Sequence, residues 1–319
     1  MKDGKYYIIK KILGYSVASW FSALLGLVVV PVASHVYDAE DLGKIHFFLS
    51  VGGICYTLLC LGLDQGYIRF FSAEGNKNCR RQLLSFDLLV VFSVLLAVSF
   101  LAIPFGTFIS VWLFGEKNML LLLMLPCYVA GLLIIRFAAT WYRMEENIPC
   151  YTLLTILMSI ATKGIYLLGA PLSREYCVAV LLCGIAGVMF LLLLLAVQRK
   201  TLTTPSILKN RELYVAEMKY SLPLIPATLM LLLNNNIPQF LLRIFDGFEC
   251  LAGYSVAVTV ATALNVIQTG FNVFWTPYVF QNHDQKKTAN PTNSSVCGDV
   301  YANCGYGTCS VTRYYLCGD

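Results

Sequence analysis

The residues that could do chemistry in this chain are charged side chains set inside long apolar runs. Lys163 stands about 13 residues, or roughly 20 Å of helix, into the run 150–171. A lysine at that depth in lipid costs about 3 kcal/mol unless it faces water or a partner. Ser159, Lys163 and Tyr166 recur at i, i+4 and i+7, so they form one polar stripe on a helix. One chemistry open to the stripe is a cation lining a central cavity and attracting an anionic headgroup. The competing reading is a buried structural pair. Arg136, Thr140 and Arg143 share a face in the same way. Guanidinium groups match phosphate oxygens two at a time, which suits a pyrophosphate. Arg136 lies near the end of its run, however, so snorkelling to water competes with that role.

A third group closes the second apolar run. In Gly62-Leu63-Asp64-Gln65-Gly66-Tyr67-Ile68-Arg69-Phe70-Phe71, Gln65 and Arg69 fall on one helical face. Asp64 lies beside them, and Asp87 opens the third run. These carboxylates are the candidates for coupling to a sodium or proton gradient, against a plainer role as boundary charges. Asn265, Gln268 and Asn272 make a fourth stripe at i, i+3 and i+7. Such a stripe turns toward the interior of a bundle, either as a surface for substrate or as glue between helices. No catalytic nucleophile, cofactor motif or metal-ligand spacing is present, and none of the twelve cysteines forms a C-x-x-C pair. Free thiols packed as small hydrophobes are the reading that remains for most of them. The chain is therefore expected to be no enzyme and to need no cofactor or metal.

The elements that must position these residues are eight apolar runs, at 11–36, 45–63, 84–104, 119–140, 150–171, 176–197, 216–236 and 250–274. A bilayer core takes about 20 residues of helix, and soluble helices rarely stay apolar on every side for that length. The expected fold class is an all-α, polytopic helical membrane bundle of about eight transmembrane helices. A composition of 58% hydrophobic and 13% charged residues agrees. The net charge of +5 has a topological reading. With a cytoplasmic N-terminus, the inner segments hold Lys2 to Lys11, Arg69 to Arg81, Arg143 and Arg199 to Lys219. The outer segments keep only Lys44, Lys117, Arg174 and Arg243. That bias fixes the orientation, sets the basic residues against anionic membrane lipids, and argues against nucleic acid as a partner. The first run is too long for a signal-peptide core and is read as a span.

Connections are short, and the outer ones (37–44, 105–118, 172–175, 237–249) are too small for a folded domain. Segment 237–249 mixes apolar and charged residues and is expected along the outer interface. Prolines at 31, 104, 126, 223, 226 and 277 invite kinks. A weak echo relates Gly14-Tyr15-Ser16 to Lys219-Tyr220-Ser221 and Glu40 to Glu249, at offsets of 205 and 209. Two lobes related by a parallel repeat would give that spacing. The expected organisation is a six-helix lobe with its linker over 1–215, two helices of a second lobe over 216–280, and a polar, Cys-rich tail over 281–319. The tail is expected to be non-native or disordered.

Gly-Leu-Asp-Gln-x-x-x-Arg-Phe-Phe (62–71), Lys-Tyr-Ser-Leu-Pro-Leu-Ile-Pro-Ala (219–227), Leu-Ala-Gly-Tyr-Ser-Val-Ala (251–257) and Phe-Trp-Thr-Pro-Tyr (274–278) together carry a resemblance. Over about residues 5–285 the chain resembles Wzx-type O-antigen and polysaccharide flippases, of the multidrug/oligosaccharidyl-lipid/polysaccharide exporter superfamily. The resemblance implies two six-helix lobes around a cavity that opens to each side in turn. It implies a polyprenyl-pyrophosphate-linked oligosaccharide as cargo, other polysaccharide assembly proteins as partners, and the inner membrane of a bacterium as the location. It also implies about twelve to fourteen spans, so this chain is expected to be truncated at its C-terminal end. On this reading Lys163, Arg136 and Arg69 neutralise the pyrophosphate, and the polar stripes hydrate the glycan. The alternatives are a multidrug or cation antiporter of the same superfamily, which prefers an acidic cavity, and a membrane-embedded glycan polymerase or glycosyltransferase. The latter needs a larger outer loop carrying catalytic residues.

Overall fold

In the computed structural model, the described residues are 2–73, 77–169, 171, 175–198 and 211–261. They are helical almost throughout, with no strand among them. The helices are α1 (Lys2–Val36), α2 (Ala39–Leu59), α3 (Leu63–Ala73), α4 (Lys77–Ala102), α5 (Gly106–Phe114), α6 (Met119–Met144) and α7 (Ile148–Lys163). They continue with α8 (Tyr176–Gln198), α9 (Arg211–Ser221), α10 (Leu224–Phe245) and α11 (Gly247–Ala261). Ala39–Leu59, Lys77–Phe114, Met119–Met144, Tyr176–Gln198 and Arg211–Phe245 are long and apolar enough to cross a membrane. Trp20–Val36, Ile148–Lys163 and Gly247–Ala261 are shorter apolar helices. These eight segments lie on the eight apolar runs of the sequence, and the fold is an all-α polytopic bundle.

The surface explains why the chain is helical. Leu96, Phe100 and Phe108 are each about 70% exposed on the outside of α4 and α5. A contiguous apolar face of that kind belongs against lipid. Lipid offers no hydrogen bonds, so each N–H must find its carbonyl within the segment. That requirement also corrects two expectations. The expected connection 237–249 is almost wholly helix: α10 continues to Phe245, and α11 starts after Asp246 at Gly247, a left-handed glycine (φ 84°). Most of the expected loop 105–118 is likewise helix, as α5. Asn118 ends the remaining turn by accepting from the backbone N–H of Leu121 (3.3 Å).

Helices are interrupted where backbone chemistry demands it. Pro104 marks the 3-10 turn between α4 and α5, and Pro223 stands between α9 and α10. Pro31 and Pro126 are accommodated inside α1 and α6. Between α2 and α3 the chain turns through Leu61 (φ 51°) and Gly62 (φ 69°). This elbow starts a new helix, α3, where the sequence suggested only the end of a span.

The bundle is organised around α6, which packs on α8, α7, α2 and α4. One buried cluster joins Tyr37, Phe47, Phe48, Phe114, Tyr128 and Tyr176. A second joins Leu63, Tyr67, Leu83, Ile134, Phe137 and Trp141. They occupy opposite ends of the helices. At the first end Lys44, almost fully buried, is held by Glu40 (3.0 Å) and Glu116 (3.2 Å) and lies over the Tyr176 ring. The described residues all fall in one compact unit, Met1–Ile267. The tail over 281–319 lies outside them.

Candidate functional site

The elbow at Leu61–Gly62 starts α3 with tight turns, in which the N–H of Leu63 reaches the Cys60 carbonyl (2.8 Å) and that of Gln65 the Gly62 carbonyl (3.1 Å), and the new helix end carries a partial positive charge. Asp64 sits in this first turn and complements it. Arg136, projecting from α6, places both Nη2 (2.7 Å) and Nε (3.2 Å) on the same carboxylate oxygen of Asp64. The neighbouring Gln65 donates to that oxygen as well, at 3.3 Å. Asp64 is nearly buried, at 10% side-chain exposure, whereas Arg136 keeps 42%. The guanidinium is thus anchored along one edge and open along the other. The other two residues of its stripe make separate contacts. Thr140 donates back to the Arg136 carbonyl (2.9 Å), and Arg143 stands exposed in the last turn of α6, where a cation suits the helix dipole.

Lys163 is the last residue of α7. Its Nζ donates to the backbone oxygen (3.0 Å) and hydroxyl (3.1 Å) of Ser22 on α1, passing beside Gly26. Among the described residues no carboxylate pairs with it. The expected stripe Ser159–Lys163–Tyr166 is split. Beyond Lys163 the chain tightens into a 3-10 turn, Ile165–Gly169. Three residues per turn instead of 3.6 rotate Tyr166 off the α-helical face. Tyr166 is buried edge-on to His46, and its carbonyl accepts from the Tyr37 hydroxyl (2.7 Å). Ser159 bonds back to Thr155 within α7 (2.9 Å).

Arg69 stacks its guanidinium on Tyr220, 4.5 Å from the ring centre, joining α3 to α9. Asp87, on α4, is completely buried and faces Glu217 of α9, also completely buried. Asn265, Gln268 and Asn272 lie outside the described residues. No group of His, Cys, Asp or Glu that could hold a metal occurs among the described residues. A cavity of about 580 Å³ between α2, α4, α5 and α6 is lined by side chains such as Val51, Leu95, Phe100 and Leu122. None of the expected site residues among the described ones borders it.

Residues 8–283 match the family of polysaccharide biosynthesis proteins. The chain belongs to that family. Comparison with curated proteins and with solved structures finds no match. This polysaccharide biosynthesis protein is a multi-pass membrane protein, and its charged residues must be read in that setting.

Sequence reasoning brought Asp64, Gln65 and Arg69 together correctly as neighbours on one helix. It did not supply their partners in space. Arg136 comes to Asp64 from 72 positions away, and Tyr220 comes to Arg69 from the second half of the chain. Glu217 was passed over because it lies at the start of the run 216–236 and resembles a boundary charge. An acid at the second position of an apolar run was the available signal. Gly66 was missed too. A Cβ there would collide with the Ser221 hydroxyl and sit 3.0 Å from Glu217 Cγ, so only glycine lets α9 lie this close on α3.

Proposed function

We propose that this membrane protein flips a polyprenyl-pyrophosphate-linked oligosaccharide, an O-antigen or capsule/exopolysaccharide repeat unit, from the cytoplasmic to the periplasmic leaflet of a bacterial inner membrane. The N-terminus is cytoplasmic in this reading, and movement follows alternating access. No covalent bond of the cargo is broken. Lipid-linked oligosaccharide and membrane lipids are the partners, with other polysaccharide assembly proteins before and after the step.

The observation that carries the reading is Lys163. A lysine held inside the bundle by one serine, with no carboxylate among the described residues, keeps most of its charge for something else. An anion such as a pyrophosphate answers that charge in a way that lipid tails cannot. Arg136, held by Asp64 on one side and open on the other, offers a second cation on the central helix. Arg69 is committed to Tyr220 but exposed, and a phosphate could approach its free face.

The test is surface polysaccharide in cells that depend on this protein. Lys163→Ala is expected to lower export about tenfold or more, whereas Lys163→Arg keeps most of it because charge is retained. Normal export by an alanine variant present in the membrane at wild-type level would remove the lysine, and with it the main support for an anionic cargo. A smaller companion effect is expected at the anchor. Ser22→Ala removes one of two hydrogen bonds to Nζ, worth about 1.5–3 kcal/mol for a charged donor, and because the backbone oxygen of residue 22 remains export should fall less than with Lys163→Ala.

A further inference from the structure

Where α9 crosses α3 and α4, the four carboxylate oxygens of Asp87 and Glu217 have no hydrogen-bond donor among the described residues. Both side chains are 0% exposed, and each faces the other. Two bare carboxylates in contact, without water or a cation, repel strongly. One proton placed between them converts repulsion into an O–H···O hydrogen bond. Two further polar groups point the same way. The Tyr67 hydroxyl, on a side chain 0% exposed, lies within electrostatic reach of both acids and makes no hydrogen bond among the described residues. The Ser221 hydroxyl, one turn beyond Glu217 and 1% exposed, is also unpartnered there. Both are donors that could stabilise the single negative charge left on a pair sharing one proton.

We propose that Asp87 and Glu217 form a binding site for one proton, and that the shared proton clasps α9 against α3 and α4. The remaining charged groups nearby are consistent with that arrangement. From α3, Asp64 faces Asp87 but is already neutralised by Arg136 of α6. Near Tyr67, Arg80 of α4 and Glu145 at the end of α6 oppose each other in sign. Glu212 and Lys219 are on the exposed face of α9 and turn away from the pair. Among the described residues no cation bonds to the two carboxyls, and in this proposal a proton holds them.

The step balances simply. On closing, one carboxyl keeps its O–H and donates to the other carboxylate. On opening, water reaches both groups, the O–H bond breaks, and the proton leaves to water while two hydrated carboxylates remain. Acid therefore favours the closed crossing, and rising pH favours separation. The fit of the crossing is set by Gly66, which brings Glu217 Oε1 within 3.4 Å of where a Cβ would stand. The inference rests on the transport reading only for its purpose, since separation of α9 from α3 would open the bundle at this end.

The experiment is amide hydrogen exchange of the Arg211–Ser221 segment in the full chain reconstituted in lipid vesicles, corrected for the intrinsic pH dependence of exchange. Protection in the wild type is expected to fall at least tenfold from mildly acidic to alkaline pH. The Asp87→Asn/Glu217→Gln variant, which hydrogen-bonds without a titrating proton, should stay protected throughout. Infrared difference spectra of the wild type should show the carbonyl stretch of a protonated carboxyl, and Glu217→Gln should lose it. Wild-type protection that ignores pH, or a wild-type spectrum without that band, overturns the proposal even if the variants fail to fold. A double variant that follows the wild-type pH profile overturns it as well. None of these readouts involves glycan, so a confirmed clasp alongside normal export by Lys163→Ala would sink the cargo reading and leave the proton site standing.

Discussion

A leucine at Gly131 is expected to leave almost no folded protein. Gly131 of α6 and Gly187 of α8 meet face to face, and a Cβ on Gly131 would stand 2.5 Å from the Gly187 Cα and 2.6 Å from its carbonyl oxygen. A Cβ on Gly187 would stand 2.7 Å from the Tyr128 Cα. The obstacle is main chain in each case, so no side-chain rotation relieves it. Packed sites ordinarily lose about 1–3 kcal/mol to an extra methylene or two. Leucine, with four carbons where there is no space for one, should cost well above the top of that range. Close helix contact through small residues is also the main source of association between helices in lipid, where no hydrophobic force drives them together. The measurement is the yield of monodisperse protein in detergent, with Gly131→Ala expected to be intermediate. A leucine variant as abundant and as heat-resistant as the wild type would show that α6 and α8 do not meet here.

Arg136→Gln is expected to produce the largest loss of export that does not come from unfolding alone. The change leaves Asp64 without its cation, in a setting where its own exposure is only 10%. Breaking a fully buried ion pair costs about 3–5 kcal/mol. Arg136 is 42% exposed, so water screens part of this, and about 1–3 kcal/mol is the expected destabilisation. Neutralising both partners, as Asp64→Asn/Arg136→Gln, should recover most of the thermal stability because no bare charge is left. Export should remain reduced at least tenfold if the open edge of the guanidinium meets the cargo. Recovery of both stability and export in the double variant would instead make Arg136 a strut for the elbow and nothing more.

The contrast between what was legible and what was not follows from the physics of each signal. Span positions were readable because a helix in lipid must be apolar along its length, and runs such as 119–140 and 176–197 fall on α6 and α8 with small differences at the ends. The elbow at Leu61–Gly62 was not readable, since a leucine in left-handed backbone leaves no trace in hydropathy. The Ser159–Lys163–Tyr166 stripe failed for a related reason. Its periodicity presumed an unbroken α-helix, and the 3-10 turn after Lys163 changed the phase. Partners across helices were beyond the reach of spacing altogether. Nothing in the order of residues joins Asp87 to Glu217, whereas the close crossing at Gly66 does so in space.

The elbow has one more consequence. Leu61 carries a side chain at φ 51°, a backbone setting in which non-glycine residues store about 1–3 kcal/mol. The elbow between α2 and α3 turns at this residue together with Gly62. A twist toward right-handed backbone releases that store, and the return reloads it, so the elbow behaves as a cocked spring at the end of the second span.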